Sequence, residues 1–496
     1  MAIGERPASL GASASRGAAI TLGAQVLRVL VQLAGIVVLA RLLTPADYGV
    51  LAMVLAIIGV GEVFRDFGLS SAAIQARTVS RAQRTNLFWI NTGIGAVLAL
   101  AVCLASGPIA GFYGDPALQP VAMALSVTFL LNGISTQFRA DLNRDLRFGR
   151  LSGTEIAGQV AGLVVGIWGA TAGLGTWALV AQQLAAATAT LIGVVAVGGW
   201  WPGLPRRGVP MGGFLRFGAN LVGSQLVTYA SRNVDSVIIG ATVGASALGL
   251  YNRAFQLMLM PLNQINAPST RVALPVLAKL QDDRRRFAEF IGLGQAFMLN
   301  LVGAVLSFAC AQAGAVILLA LGEQWGGAVP IFQVLALAGF FTAASYAAYW
   351  VFLAKGLTAQ HLWFSLATRP IMIVVVLLGS TWGVLGVAWA FAASTVVLWP
   401  AALWWVSRVS DAPSRMLFLN GVRAFGVHAL AGLASFGATM WLPDAAWAGH
   451  LAIGAAAYAA AIALAALLVR PLRNDLRAMF AIRRYFRGGT GRGETA

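Results

Sequence analysis

The chain has 496 residues, of which 59% are hydrophobic and only 10% charged, with a mean hydropathy of +0.78. So little charge over this length excludes a water-soluble protein, and the usual inference of domain number from length does not apply. The net charge of +17 does not point to nucleic acid either, because the arginines gather in alternate loops between apolar runs, as cytoplasmic membrane-protein loops do.

In chain order, residues 1–17 form a polar arm carrying Arg6 and Arg16, expected in the cytoplasm. The apolar run that follows is too long for a signal-peptide core and reads as an uncleaved first span. Residues 20–75 form a hairpin of two apolar runs meeting at Thr44-Pro45-Ala46-Asp47-Tyr48-Gly49. Each run is near the ~20 residues needed to cross a bilayer as a helix. Arg28, Glu62, Arg65 and Asp66 nevertheless lie inside them.

The hairpin returns 200 positions later without a gap. Gly23-Ala24-Gln25 falls on Gly223-Ser224-Gln225, Ala46 on Ser246, and Gly49-Val50-Leu51 on Gly249-Leu250-Tyr251. Internal repeats of this kind are a frequent plan of secondary transporters, with the substrate site between the halves.

About fourteen spans are expected at the usual length. The expected organisation is a first six-helix lobe over 18–199, a cytoplasmic linker at 200–213 and a second six-helix lobe over 214–406. A helix pair over 407–469 and a basic cytoplasmic tail over 470–496 complete it. Within this plan, 138–150 is a basic loop after a span ending at Gln137, and 291–320 is one span. Loops expected inside hold nearly all the arginines, whereas the opposite loops hold only Arg41, so both termini are placed in the cytoplasm. The first and seventh spans then run the same way, which makes the repeat parallel, about an axis along the membrane normal. The fold class expected is all-α and integral to the membrane.

No Walker A lysine is present, since Lys279 and Lys355 both follow alanine, and no GxSxG elbow occurs. His361, His428 and His450 are scattered, and Cys103 and Cys310 sit singly in apolar runs, so no metal site or disulfide is expected. The chain reads as a transporter without a cofactor, not an enzyme. The residues left to carry chemistry are the intramembrane charges, because an ionisable group in hydrocarbon costs several kcal/mol unless it faces protein or a polar cavity. Arg28 has no carboxylate three or four residues away and reads as a cavity-facing anion site. Glu62 with Arg65 and Arg232 with Asp235 are three apart on one helical face, so ion pairs that lock helices are the competing reading, and Arg253 stands between the two. Glu155, at the start of its span, reads as interfacial. Gln25, Asn220, Gln225, Tyr229, Asn263, Gln264 and Asn266 are candidate partners for sugar hydroxyls, and Glu62, Asp66 and Asp235 for a coupling ion.

The segments ARLLTPADYGVLAM, FRDFGLSSAAIQ, FRADLNRDLRFGRL and FGANLVGSQLVTYASRNVDSVIIG, with ALGLYNRAFQLMLMPLNQINAPSTRVALPVLAKLQDD, resemble Wzx-type flippases. These form part of the polysaccharide transport branch of the MOP superfamily. The resemblance covers residues 15–400. It implies two six-helix lobes around a central cavity, with two further helices. It also implies a substrate: an oligosaccharide repeat unit on a polyprenyl pyrophosphate, turned from inner to outer leaflet of the bacterial inner membrane. Membrane lipids, a polysaccharide polymerase and export proteins are the partners it implies. Related lipid II flippases use arginines of the first, second and eighth spans for the pyrophosphate, and the matching types here are Arg28, Arg65 and Arg253, taken over by span. A multidrug or organic-cation antiporter of the same superfamily is the rival reading, and a non-transporting scaffold of a polysaccharide export machine is a third.

Overall fold

A chain crossing hydrocarbon has to satisfy its own backbone polar groups, and the α-helix does so within one segment. The computed structural model describes residues 8–66, 79–212, 214, 222, 229, 233–441, 447–475 and 477, and every regular element among them is helical. The first six helices are α1 (Ala8–Leu42), α2 (Pro45–Asp66), α3 (Arg81–Tyr113), α4 (Leu118–Arg144), α5 (Phe148–Thr171) and α6 (Thr176–Gly198). Then follow α7 (Ala245–Lys279), α8 (Arg284–Ala311), the short α9 (Ala313–Ala320) and α10 (Ala328–Ala354). The last are α11 (Thr358–Gly379), α12 (Gly383–Val409), α13 (Ser414–Met440) and α14 (Trp447–Leu468). Among the described residues, 11 segments are long and apolar enough to cross a membrane, and one of them, Thr358–Val409, holds both α11 and α12. The protein is therefore all-helical and multi-pass.

Local chemistry sets several boundaries. Ser80 and Gln83 form a reciprocal capping box that starts α3, and Gly114, in the left-handed region at φ 69°, ends it. On the outside of α3, Val97, Leu100 and Leu104 are 67%, 61% and 72% exposed. That i, i+3, i+7 stripe would be costly in water and is at ease against lipid tails.

Two expected boundaries are corrected. The basic stretch 138–150 is mostly helix, because α4 runs on to Arg144 and α5 begins at Phe148. Its polar residues are paired on the helix: Gln137 Nε2 donates to Asp141 at 3.1 Å, and Arg84 of α3 lies 3.2 Å from the same carboxylate. The apolar run 291–320 is broken at Gln312 between α8 and α9. The Gln312 amide is turned toward α13, donating to Ser435 and Thr439 at 3.0–3.2 Å.

The chain divides into two compact units, Met1–Gly249 and Leu250–Ala496, so the division falls inside α7. In the first unit, the stretch 200–210 is fastened to the start of α3. Trp89 donates to the Gly203 carbonyl at 2.8 Å, Asn86 exchanges two hydrogen bonds with the Arg206 backbone, and Arg84 stacks over Trp200 at 4.8 Å.

Also in this unit, the starts of α2 and α7 touch through backbone. A Cβ at Gly49 would stand 1.7 Å from the Ala245 carbonyl oxygen, and one at Gly249 1.9 Å from the Pro45 carbonyl oxygen. No side chain fits at either place, so glycine is required by close approach alone. The contact is reciprocal in the repeat register, with 45 against 249 and 49 against 245.

In the second unit α10 is apolar all round, and 18 of its 27 residues are buried, which makes it the central helix. The α13–α14 pair is joined to α8 by a buried polar chain. The Tyr458 hydroxyl stands 2.7 Å from His428 Nδ1 and 2.8 Å from the Ser307 hydroxyl, and Ser435 donates to the Gly454 carbonyl at 2.9 Å. Polar links of this kind hold membrane helices together by about 1–2 kcal/mol each at most. Tyr458→Phe is expected to lower the melting temperature of the purified protein by a few degrees.

Candidate functional site

Five charged residues of the first unit, Arg28, Glu62, Arg65, Arg139 and Glu155, come within range of one another. Arg28, in the middle of α1, is not unpaired: its Nη2 lies 2.6 Å from Glu155 Oε2 on α5. This corrects both the expectation of an isolated arginine and the reading of Glu155 as merely interfacial. Sequence spacing hides the pair because its members are 127 residues apart. On α2, Arg65 Nε lies 2.7 Å from Glu62 Oε2, as the i, i+3 spacing suggested, and Arg65 Nη1 also reaches the Thr136 hydroxyl of α4 at 3.4 Å.

Between the two pairs lies a residue that the sequence reading assigned to a loop. Arg139, on the continued part of α4, is in electrostatic range of Glu155, Arg65 and Glu62. Its buried Nε has no hydrogen-bond partner. Among the described residues, three guanidinium groups thus stand with two carboxylates on four helices, a net charge of one positive. The signal that was available is that Arg139 follows Gln137 and Phe138 without any turn residue, so nothing in the sequence stops the helix there.

The pairs are only partly buried. The side chains of Arg28 and Glu155 are 38% and 30% exposed, so each keeps surface at which another charged group can approach. An arginine keeps its charge in such a place and offers a fork of donors that matches phosphate or carboxylate oxygens.

The other expected site residues fall elsewhere. Tyr229 spends its hydroxyl on α2, donating to the Leu55 and Ala56 carbonyls at 3.0 and 3.2 Å, which makes it a clamp and not a free sugar ligand. Asp235 is buried and accepts from the Ser236 backbone N–H at 2.9 Å. Gln25 is exposed on α1. Arg253, on α7, donates to Gln256 at 2.5 Å and belongs to the second unit. Asn220, Gln225, Arg232 and the side chain of Asp66 lie outside the described residues.

Comparison with known proteins follows the same lines. The profile of the family described as polysaccharide biosynthesis protein matches residues 38–330. The lipopolysaccharide biosynthesis protein WzxC of Escherichia coli (strain K12) is 30% identical over 310 residues, covering 61% of this chain and 62% of WzxC. The chain thus spans less than two thirds of that relative. The teichuronic acid biosynthesis protein TuaB of Bacillus subtilis (strain 168) is 29% identical over 384 residues, covering 76% of this chain and 79% of TuaB. Among solved structures, the lipid II flippase MurJ in its inward closed conformation superposes with a TM-score of 0.66 at 13% identity, over 92% of this chain and 99% of MurJ, a likeness of fold. The chain belongs to the polysaccharide biosynthesis protein family.

Proposed function

We propose that the protein carries a polyprenyl-pyrophosphate-linked oligosaccharide repeat unit from the inner to the outer leaflet by alternating access, serving exopolysaccharide, capsule or lipopolysaccharide synthesis. The observation that carries this reading is the Arg28–Arg65–Arg139 cluster, one net cation held within the membrane helices of the first unit. A pyrophosphate bears two or more negative charges and cannot cross hydrocarbon bare, so a site that carries it needs fixed cations at that depth. Glu155 and Glu62 hold the arginines between cycles and yield them to the substrate. The names of WzxC and TuaB, both proteins of surface-polysaccharide biosynthesis, support the same substrate class. No bond is made or broken in this step, so the protein acts as a transporter and not an enzyme.

The reading includes a plan of two six-helix lobes, 18–199 and 214–406, with α13 and α14 outside the repeat. The reciprocal contact supports it, since Pro45 against Gly249 and Gly49 against Ala245 become one another when each residue is exchanged for its counterpart 200 positions away. Arg253 and Arg232, with Gln25, Asn220 and Gln225, are the candidates in the remaining spans, and Asp66, Asp235 and Glu62 are those for a coupling ion. An organic-cation antiporter would require an excess of carboxylates at the site, which the cluster does not have.

Both termini are placed in the cytoplasm by the arginine distribution. With Cys103 and Cys310 replaced, an Asp115→Cys protein is expected to react with a membrane-impermeant thiol reagent added to intact spheroplasts. Reaction with permeant reagents alone contradicts the orientation. The functional reading is tested by complementation of a flippase-null strain. The wild-type chain should restore surface polysaccharide and clear lipid-linked repeat units from the inner leaflet, and failure to clear them despite correct insertion contradicts it.

A further inference from the structure

The helix α7 has prolines at 261, 268 and 275, one every seven residues, which puts all three on one face. Each lacks the N–H that bonds the carbonyl four residues back, so the carbonyls of Leu257, Gln264 and Arg271 lose that partner along the same side. Backbone freed in this way is tolerated at membrane depth where it lines a polar cavity. Beside the last of these turns the second unit has an open groove of about 410 Å³, inside the range of roughly 300–1,000 Å³ for small-molecule sites.

The groove is walled by Asn266, Thr270, Arg271 and Leu274 of α7 and by Tyr349 of α10. Its floor is fixed by hydrogen bonds. Buried Trp350 donates from Nε1 to the Thr270 hydroxyl at 2.9 Å, and that hydroxyl donates to Asn266 Oδ1 at 3.1 Å. The Asn266 oxygen is thus occupied and its NH2 is the group offered as donor. Arg271 is the one charged residue of the wall among the described residues. Tyr349 adds a half-exposed ring with a hydroxyl at its edge.

A single forked cation matches a single carboxylate. An amide donor and freed carbonyls match neighbouring hydroxyls, and an aromatic ring beside an apolar leucine matches the C–H face of a pyranose. A pyrophosphate, with more charge and no such face, suits the three-arginine cluster of the first unit better. We propose that this groove binds an acidic sugar, a uronate residue of the saccharide, so that the second unit reads the glycan by its charge. The proposal rests on the reading of the protein as a carrier of lipid-linked saccharide.

The test uses the purified full-length protein in nanodiscs, with trigalacturonate as probe, neutral maltotriose as control and inorganic pyrophosphate as competitor, read by saturation-transfer NMR. Trigalacturonate should bind and maltotriose should not. Arg271→Gln should weaken the uronate at least tenfold, Arg271→Lys should recover part of it, and Arg415→Gln, at an exposed arginine of α13, should leave it unchanged. Equal binding of maltotriose, no binding of trigalacturonate, displacement of it by pyrophosphate, or indifference to Arg271→Gln overturns the proposal. Wild-type-like elution and melting of Arg271→Gln secure the comparison. Export by the wild-type chain without an Arg271-dependent uronate signal removes the groove alone. An Arg271-dependent signal in a protein that does not restore export removes the transport reading instead.

Discussion

Arg139→Ala is expected to reduce export of lipid-linked repeat units about 100-fold, equivalent to the ~3 kcal/mol typical of losing one desolvated charge contact. The protein should still insert and fold, because Arg139 completes no hydrogen-bonded pair at its buried Nε. Arg139→Lys should recover only part of the activity, since a point charge replaces a planar fork. Arg28→Ala acts differently. It strands Glu155, whose partner at 2.6 Å is gone, so it should lower stability as well as export. The double variant Arg28→Ala/Glu155→Ala should regain stability without regaining export, and a thermal-melting double-mutant cycle together with the export assay separates the two effects. Regained export in the double variant would make the Arg28–Glu155 pair a structural clasp only.

The second large effect is expected at the meeting of α2 and α7. Gly49→Val and Gly249→Val each drive a side chain into a backbone carbonyl of the other segment, where even a Cβ would stand within 2 Å. Overpacking that the backbone cannot relieve costs about 3 kcal/mol or more, enough to unfold a marginal membrane protein. Loss of the folded protein from detergent extracts is the expected result, with Gly49→Ala already strongly destabilised. A change without such an obstacle, Gly111→Ala, meets open space and should be tolerated. Stable, monodisperse Gly49→Val protein would show that the two segments do not keep this contact.

Much of this arrangement is legible in the amino-acid sequence, and the exceptions share a physical cause. Gly49 and Gly249, paired in the sequence at an offset of 200, both stand at close backbone contacts that leave glycine no substitute. The Glu62–Arg65 pair was readable because helical spacing is local. The Arg28–Glu155 pair was not, since pairing between helices depends on packing and not on spacing. Arg139 was misplaced for another reason: in a membrane chain, arginine after an apolar run usually marks the water boundary. Here Gln137 and Arg84 pair with the buried Asp141 carboxylate, and α4 continues past that boundary. Tyr229 was read as a sugar ligand on its polarity alone, whereas its hydroxyl is taken by the α2 backbone.

Movement of a polyprenyl-pyrophosphate-linked saccharide by the cationic cluster can be followed by reconstituting the purified chain into liposomes that hold such a lipid with a fluorophore on its sugar. Dithionite added outside quenches only the outer leaflet. Wild-type protein should render the protected inner pool quenchable, and Arg139→Ala protein should leave most of it protected. A wild-type chain that leaves the inner pool protected under every imposed ion gradient, or an Arg139→Ala chain that moves it as fast as wild type, would contradict the account.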